Sequence, residues 1–196
     1  MADTRINYVP KVLLLAVCVG VISAVMPKFK ELLQEFQGFA RSVNDPESLM
    51  QHMSQRVHAE MARYNWVGFY LLDKHDPNML VLGPFAGSFT PLESISLGDG
   101  LCGSAAAAGR TVIVNDVSRD PRYLSASDIV KSELVAPVFA YKKLIGEIDV
   151  ESYFTETFQE DDQEFVEACA EIVGRHFENL LASSTDHPTS SKAVSK

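Results

Sequence analysis

The chain has 196 residues, 46% apolar and 22% charged, with 11 Gly and 9 Pro. This composition excludes a disordered, collagenous or low-complexity polypeptide and suits one globular domain with a single core. The formal net charge is −9, and residues 31–182 carry 11 basic against 24 acidic residues, a net of −13. That body repels phosphate, so nucleic acid is not expected as a partner. Three cysteines, an odd number, do not make a secreted disulfide framework, and a reducing, cytoplasmic setting is expected.

Residues 12–26 form an uncharged apolar run of fifteen, shorter than the roughly 18–20 residues that cross a bilayer. Three readings stand side by side: a signal-peptide hydrophobic region, although residues 22–26 make a poor cleavage site; a membrane anchor; or a segment upstream of a true start at Met26. The expected division is an apolar extension at 1–25, a domain at 26–182 and a frayed, Ser- and Thr-rich tail at 183–196.

Next comes a predicted helix over 29–43, with Phe29, Leu32, Leu33, Phe36 and Phe39 at helical spacing. Asn44-Asp45-Pro46 reads as a cap with Pro at the first helical position, opening a helix whose Met50, Met53, Val57 and Met61 form a core stripe. After Tyr64 the period changes to 2, and strands are predicted at 66–72, 79–85, 94–97, 111–114, 134–139 and 144–150. A closing helix spans about 160–181 and buries Phe165, Cys169, Ile172, Val173 and Leu180. Its Gly174 permits either a close helix approach or is a tolerated interior glycine. The sum is an α+β fold: a six-stranded, mainly antiparallel sheet with helices on one face and the other face free for a ligand.

Three stretches offer chemistry. Residues 98–108 place Cys102 in the first turn of a short helix, where backbone amides favour the thiolate and lower its pKa; the alternative is a small, buried, inert cysteine. Glu147, Asp149 and Glu151 share one strand face, opposite Leu144, Gly146, Ile148 and Val150, with Glu133 on the neighbouring strand. These carboxylates form either a solvated face or a half-closed pocket that grips a cation, most simply a ligand ammonium group. Residues 117–132 form a long loop in which Arg119, Arg122 and Tyr123 are candidates for a ligand-facing tip, or which merely caps the sheet. No metal is expected: no loop supplies the oxygens calcium needs, His52 and His58 lie on different helix faces, Cys169 and His176 are two turns apart, and HExxH, paired CxxC and GxSxG patterns are missing.

Asn65-Trp66-Val67-Gly68-Phe69-Tyr70-Leu71-Leu72, Leu80-Val81-Leu82-Gly83-Pro84-Phe85, Gly98-x-Gly-x-Cys102-Gly103, Ser132-Glu133-x-Val-x-Pro137 and Ile145-Gly146-x-x-Asp149-x-Glu151-Ser152 together resemble the GAF-domain family of free methionine-R-sulfoxide reductases. The resemblance covers about residues 29–180 and implies a GAF fold. It also implies a free amino acid as ligand, its sulfur end against an aromatic wall at Trp66 and Tyr70 and its ammonium among Glu133, Asp149 and Glu151. Glu151 stands where the family has Asp, one methylene longer.

The resemblance further implies reduction by an attacking and a resolving cysteine drawn from three motifs. Of these only Cys102 is present; Leu92 and Ala126 occupy the other two positions, and Cys18 and Cys169 lie outside the motifs. The expected function is therefore a small-molecule binding or sensing module for methionine, its sulfoxide or a similar amino acid. The alternative is an active reductase using Cys102 with an external thiol or thioredoxin reductant, and a third reading makes Cys102 a redox sensor. No cofactor is expected; a partner protein or a homodimer through the outer helices is.

Overall fold

The computed structural model describes residues 15–89, 91–125 and 127–185, with side chains described from residue 27 to residue 183. Helix α1 (Leu15–Ala40) is followed by α2 (Pro46–Glu60), strands β1 (Trp66–Leu72), β2 (Met79–Gly87) and β3 (Ser94–Ser96), α3 (Gly100–Ala108), β4 (Val112–Val114), β5 (Ser132–Ala140), β6 (Lys143–Ser152) and α4 (Glu160–Thr185). All six strands lie in one sheet of order β3-β2-β1-β6-β5-β4, and every neighbouring pair is antiparallel. The long excursion through α3 and β4 lets the last strand return beside the first, so β1 and β6 occupy the centre.

Local chemistry explains the boundaries. Asp45 caps α2, its carboxylate accepting a hydrogen bond from the Ser48 backbone N–H at 2.7 Å, with Pro46 in the first turn, where a missing N–H costs nothing. Helix α1 begins well upstream of the predicted 29 and ends at Ala40, where Ser42 N–H turns back to the Phe39 carbonyl. The readings of residues 1–14 and of the tail beyond 185 lie outside the described residues. Among the described residues, no helix is long and apolar enough to cross a membrane.

The strand period divides the apolar residues between two faces. On one, Val67, Phe69, Leu134, Ala136, Val138, Ile148 and Val150 pack with Phe29, Leu32 and Phe36 of α1, the Met50 and Met53 stripe of α2, and Phe165, Cys169 and Val173 of α4. On the other, Trp66, Tyr70, Leu80 and Val135 pack beneath Leu101, Cys102 and Ala105 of α3. Leu144 departs from expectation. Register shifts between Val138 and Phe139, leaving Ile145 as an extra residue, and this bulge turns Leu144 to the α3 side while Ile148 and Val150 stay with the helices.

Gly174 requires a close approach. A Cβ there would lie 2.0 Å from the Phe139 carbonyl oxygen, so the missing side chain lets α4 sit directly on β5; it is neither a merely tolerated glycine nor, here, a contact between helices.

Candidate functional site

The site is built on three adjacent strands. On β6, Glu147, Asp149 and Glu151 point to the α3 face; across the ladder they pair with Tyr70, Gly68 and Trp66 of β1 on one side and with Pro137, Val135 and Glu133 of β5 on the other. Pleating and register alone thus assemble four carboxyl groups and two aromatic rings on one surface. Gly68 and Gly87 make the surface flat enough for the indole of Trp66, which a Cβ at either position would meet at 2.3 Å. The ring stacks on Phe85 at 5.6 Å and Phe89 at 6.0 Å.

Helix α3 closes this surface. Cys102, its third residue, lies with Sγ 3.5 Å from Asp149 Oδ2 and 3.7 Å from Glu133 Oε1. The exposure of these groups is 0% for Glu147, 2% for Asp149, 4% for Glu133, 5% for Cys102 and 8% for Glu151. A solvated carboxylate face is therefore ruled out. Tyr70, Cys102, Glu133, Asp149 and Glu151 line one cavity of about 20 Å³, room for about one water. Its remaining walls are Ile95, Gly100, Leu101, Pro91, Leu92 and Leu124. Tyr70 Oη donates to the Leu92 carbonyl at 2.8 Å and ties that wall to the sheet.

Of the residues singled out in the sequence, Tyr70, Cys102, Glu133, Asp149 and Glu151 reach the cavity; Trp66 stands beside it, 6.4 Å ring to ring from Tyr70, and Glu147 shares the strand face without lining it. The loop arginines do not face it as a tip. Arg119 pairs with Asp116 at 3.1 Å and Arg122 with Asp120 at 2.6 Å, so the loop neutralises its own cations and presents Leu124 to the cavity instead. Tyr123 packs into the α3-side core. Ile95, Leu101 and Leu124 were not anticipated, since an apolar residue in a short strand, helix or loop carries no signal of facing a pocket.

Electrostatics favour the buried, inert cysteine over the activated thiolate for Cys102. Burial, then Asp149, Glu147 and Glu133, push its thiol well above the ordinary range, outweighing the helix amides. The acids share the effect. Burial first, then their neighbours, raises Asp149, Glu133 and Glu151 well above the usual carboxylate range, and burial pushes Glu147 up to about 8. Both oxygens of Glu147, Asp149 Oδ1 and Glu151 Oε2 are buried without a hydrogen-bond partner. None of the ion pairs among the described residues reaches these four acids. Such a surface is costly until a cation meets it.

Cys169 cannot act on Cys102, because it belongs to the helix-side core and the sheet lies between them. His52 is held by Glu35 at 2.8 Å and His58 by the Tyr64 carbonyl at 3.0 Å, both away from the site.

Comparison with known proteins follows the same lines. The family described as GAF domain matches residues 45–177. Free methionine-R-sulfoxide reductase of Saccharomyces cerevisiae is 30% identical over 154 residues, covering 74% of this chain and 83% of that protein. GAF domain-containing protein A of Dictyostelium discoideum is 32% identical over 139 residues, covering 71% of this chain and 85% of that protein. Among solved structures, free methionine-R-sulfoxide reductase of Neisseria meningitidis in complex with its substrate superposes with a TM-score of 0.74 at 30% identity, covering 79% of this chain and 91% of that one.

Proposed function

Because the chain belongs to the GAF-domain family, we propose that it is a small-molecule binding or sensing module whose pocket takes the ammonium group of a free amino acid, methionine or methionine sulfoxide. The observation that carries this reading is the set of buried carboxyl oxygens without partners on the sheet face shared with Tyr70 and Trp66. An ammonium offers three donors and a positive charge in a compact group, which suits carboxylates converging from β5 and β6. Its arrival favours the ionised acids and removes the cost of burying them alone. The similarity to a reductase structure determined with its substrate supports an amino acid over other cations. Since the cavity holds about one water, entry requires the walls at Leu92 and Leu124 to part. A reducing cytoplasm suits a pocket with a free thiol.

A second reading rests on Cys102 bordering the cavity: attack of its sulfur on a bound sulfoxide would release methionine and leave a sulfenic acid. Two equivalents of external thiol would then restore Cys102, yielding water and a disulfide. The raised thiol pKa of the ligand-free site and the lack of a second cysteine on this face among the described residues favour the binding module.

Calorimetry with methionine and methionine-R-sulfoxide on metal-free protein tests the first reading: saturable binding is expected, lost in Asp149→Ala, and binding indifferent to that change would count against the ammonium clamp. With a thiol or thioredoxin system no turnover of the sulfoxide is expected. Turnover abolished by Cys102→Ser would establish the reductase instead.

A further inference from the structure

Two carboxylate oxygens approach one sulfur: Asp149 Oδ2 at 3.5 Å and Glu133 Oε1 at 3.7 Å from Cys102 Sγ. The single proton of a thiol serves one of these contacts, and the other is left for a second proton or a cation. A tetrahedral ion with bonds of about 2.3 Å to sulfur and about 2.0–2.2 Å to oxygen sets S···O edges of about 3.5–3.7 Å. The observed separations fall on that range. Among the described residues this is also the one group of three His, Cys or carboxylate side chains whose ligating atoms all lie within 4.8 Å of one another.

Independent support comes from a fourth residue. Glu151 lines the same cavity, and its Oε2 is buried there without a partner, as is Asp149 Oδ1. The cavity, at about 20 Å³, holds an ion or a water without rearrangement, whereas an amino acid requires its walls to part. The donors are also firmly placed: Glu133 and Glu151 pair across the β5–β6 ladder, Asp149 lies opposite Val135, and Cys102 is set in α3 packed on that face.

We propose that Cys102, Glu133 and Asp149 form a binding site for a borderline-soft divalent metal, of which zinc is the type, with Glu151 beside the fourth position. One sulfur with carboxylate oxygens selects such an ion over magnesium or calcium, which take oxygen alone. A thiolate and two carboxylates against a 2+ ion leave one negative charge, where the metal-free ionised set would leave three. Binding transfers the Cys102 thiol proton, and any carboxyl proton displaced, to solvent; nothing is oxidised or reduced. The ion would fill the space that the amino-acid reading assigns to an ammonium, so the two occupants exclude each other.

Cobalt(II) and zinc added separately to chelator-treated full-length protein test the site. One equivalent of cobalt is expected to give thiolate-to-metal charge-transfer absorption and the visible bands of tetrahedral cobalt. Cys102→Ser should abolish the charge-transfer band and weaken zinc by about 100-fold or more, and Glu133→Gln or Asp149→Asn should weaken zinc by about 10–100-fold with the band retained. Absence of one-equivalent binding, or a band that survives Cys102→Ser and so belongs to Cys18 or Cys169, overturns the proposal. Should Cys102→Ser fail to fold by circular dichroism, zinc affinity unchanged in both carboxyl variants overturns it equally. The methionine titration uses metal-free protein, so either reading can fail without the other.

Discussion

Glu147 does not line the cavity beneath α3 and has no hydrogen-bond partner for either oxygen, yet it is among the most deeply buried acids of the described residues. Burial pushes it up to about 8. Between about pH 4.5 and 8 the unfolded chain releases this proton while the folded protein keeps it, so the folded state binds more protons. Stability is therefore highest below about pH 4.5 as far as this group is concerned, and falls as pH rises until it levels off above about 8. Each unit of such a shift corresponds to about 1.4 kcal/mol, which makes the full effect several kcal/mol. Glu147→Gln in metal-free protein is expected to raise Tm over the native chain at about pH 8.5, with the gap closing toward pH 5. Thermal melts across that range check it; a gap independent of pH would mean that Glu147 is not the titrating group. Cys102 gives a companion prediction: held in its thiol form by burial and carboxylates, it should alkylate with iodoacetamide at pH 7 far more slowly than an ordinary thiol of pKa about 8.5. Mass spectrometry of the labelled peptide reads the rate, and rapid labelling would contradict the environment described for it.

At the level of elements, the strand residues were legible because apolar and acidic positions alternate with a period of 2. Strand β1 falls on the predicted residues, and the other five differ from prediction by one or two residues at one or both ends. Two features escaped this reading. The bulge at Ile145 adds a residue without any change of composition, so strict alternation puts Leu144 on the wrong face. Gly174 looks like any helical glycine until β5 is in place. Gly174→Ala should be destabilising by at least about 2 kcal/mol, although alanine is favoured over glycine in an exposed helix by about 1 kcal/mol. The new Cβ would meet a backbone oxygen, which cannot rotate away as a side chain would. Chemical denaturation of the variant measures this, and a neutral or stabilising result would mean that α4 can shift off Phe139.

The whole molecule is two packed clusters sharing one sheet, with α1, α2 and α4 on one side and α3 with its loops on the other. Because every central strand contributes residues to both, neither cluster should persist without the other. Trp66 is the sole tryptophan and sits in the α3-side cluster, whereas far-ultraviolet circular dichroism is dominated by the helices opposite. Urea unfolding followed by both signals is expected to give coincident transitions. An earlier fluorescence transition would show that the pocket side opens separately.

The α+β class, the antiparallel sheet, the helix-covered face, and the gathering of Glu147, Asp149 and Glu151 on one side of one strand are legible in the residues alone. These follow from local periodicity, which any segment carries within itself. Tertiary structure alone decided that the acidic face is buried, that Cys102 is pressed among carboxylates, and that Arg119 and Arg122 are spent on their own loop. It also decided that sulfur and oxygen atoms from α3, β5 and β6 meet at the spacing of a metal's ligands. Such distances depend on how far apart in space residues 102, 133 and 149 lie, which no spacing along the chain encodes. The same proximity inverts the thiol's chemistry: a helix start favours the thiolate in isolation, but desolvation and three converging acids outweigh it once the sheet is closed.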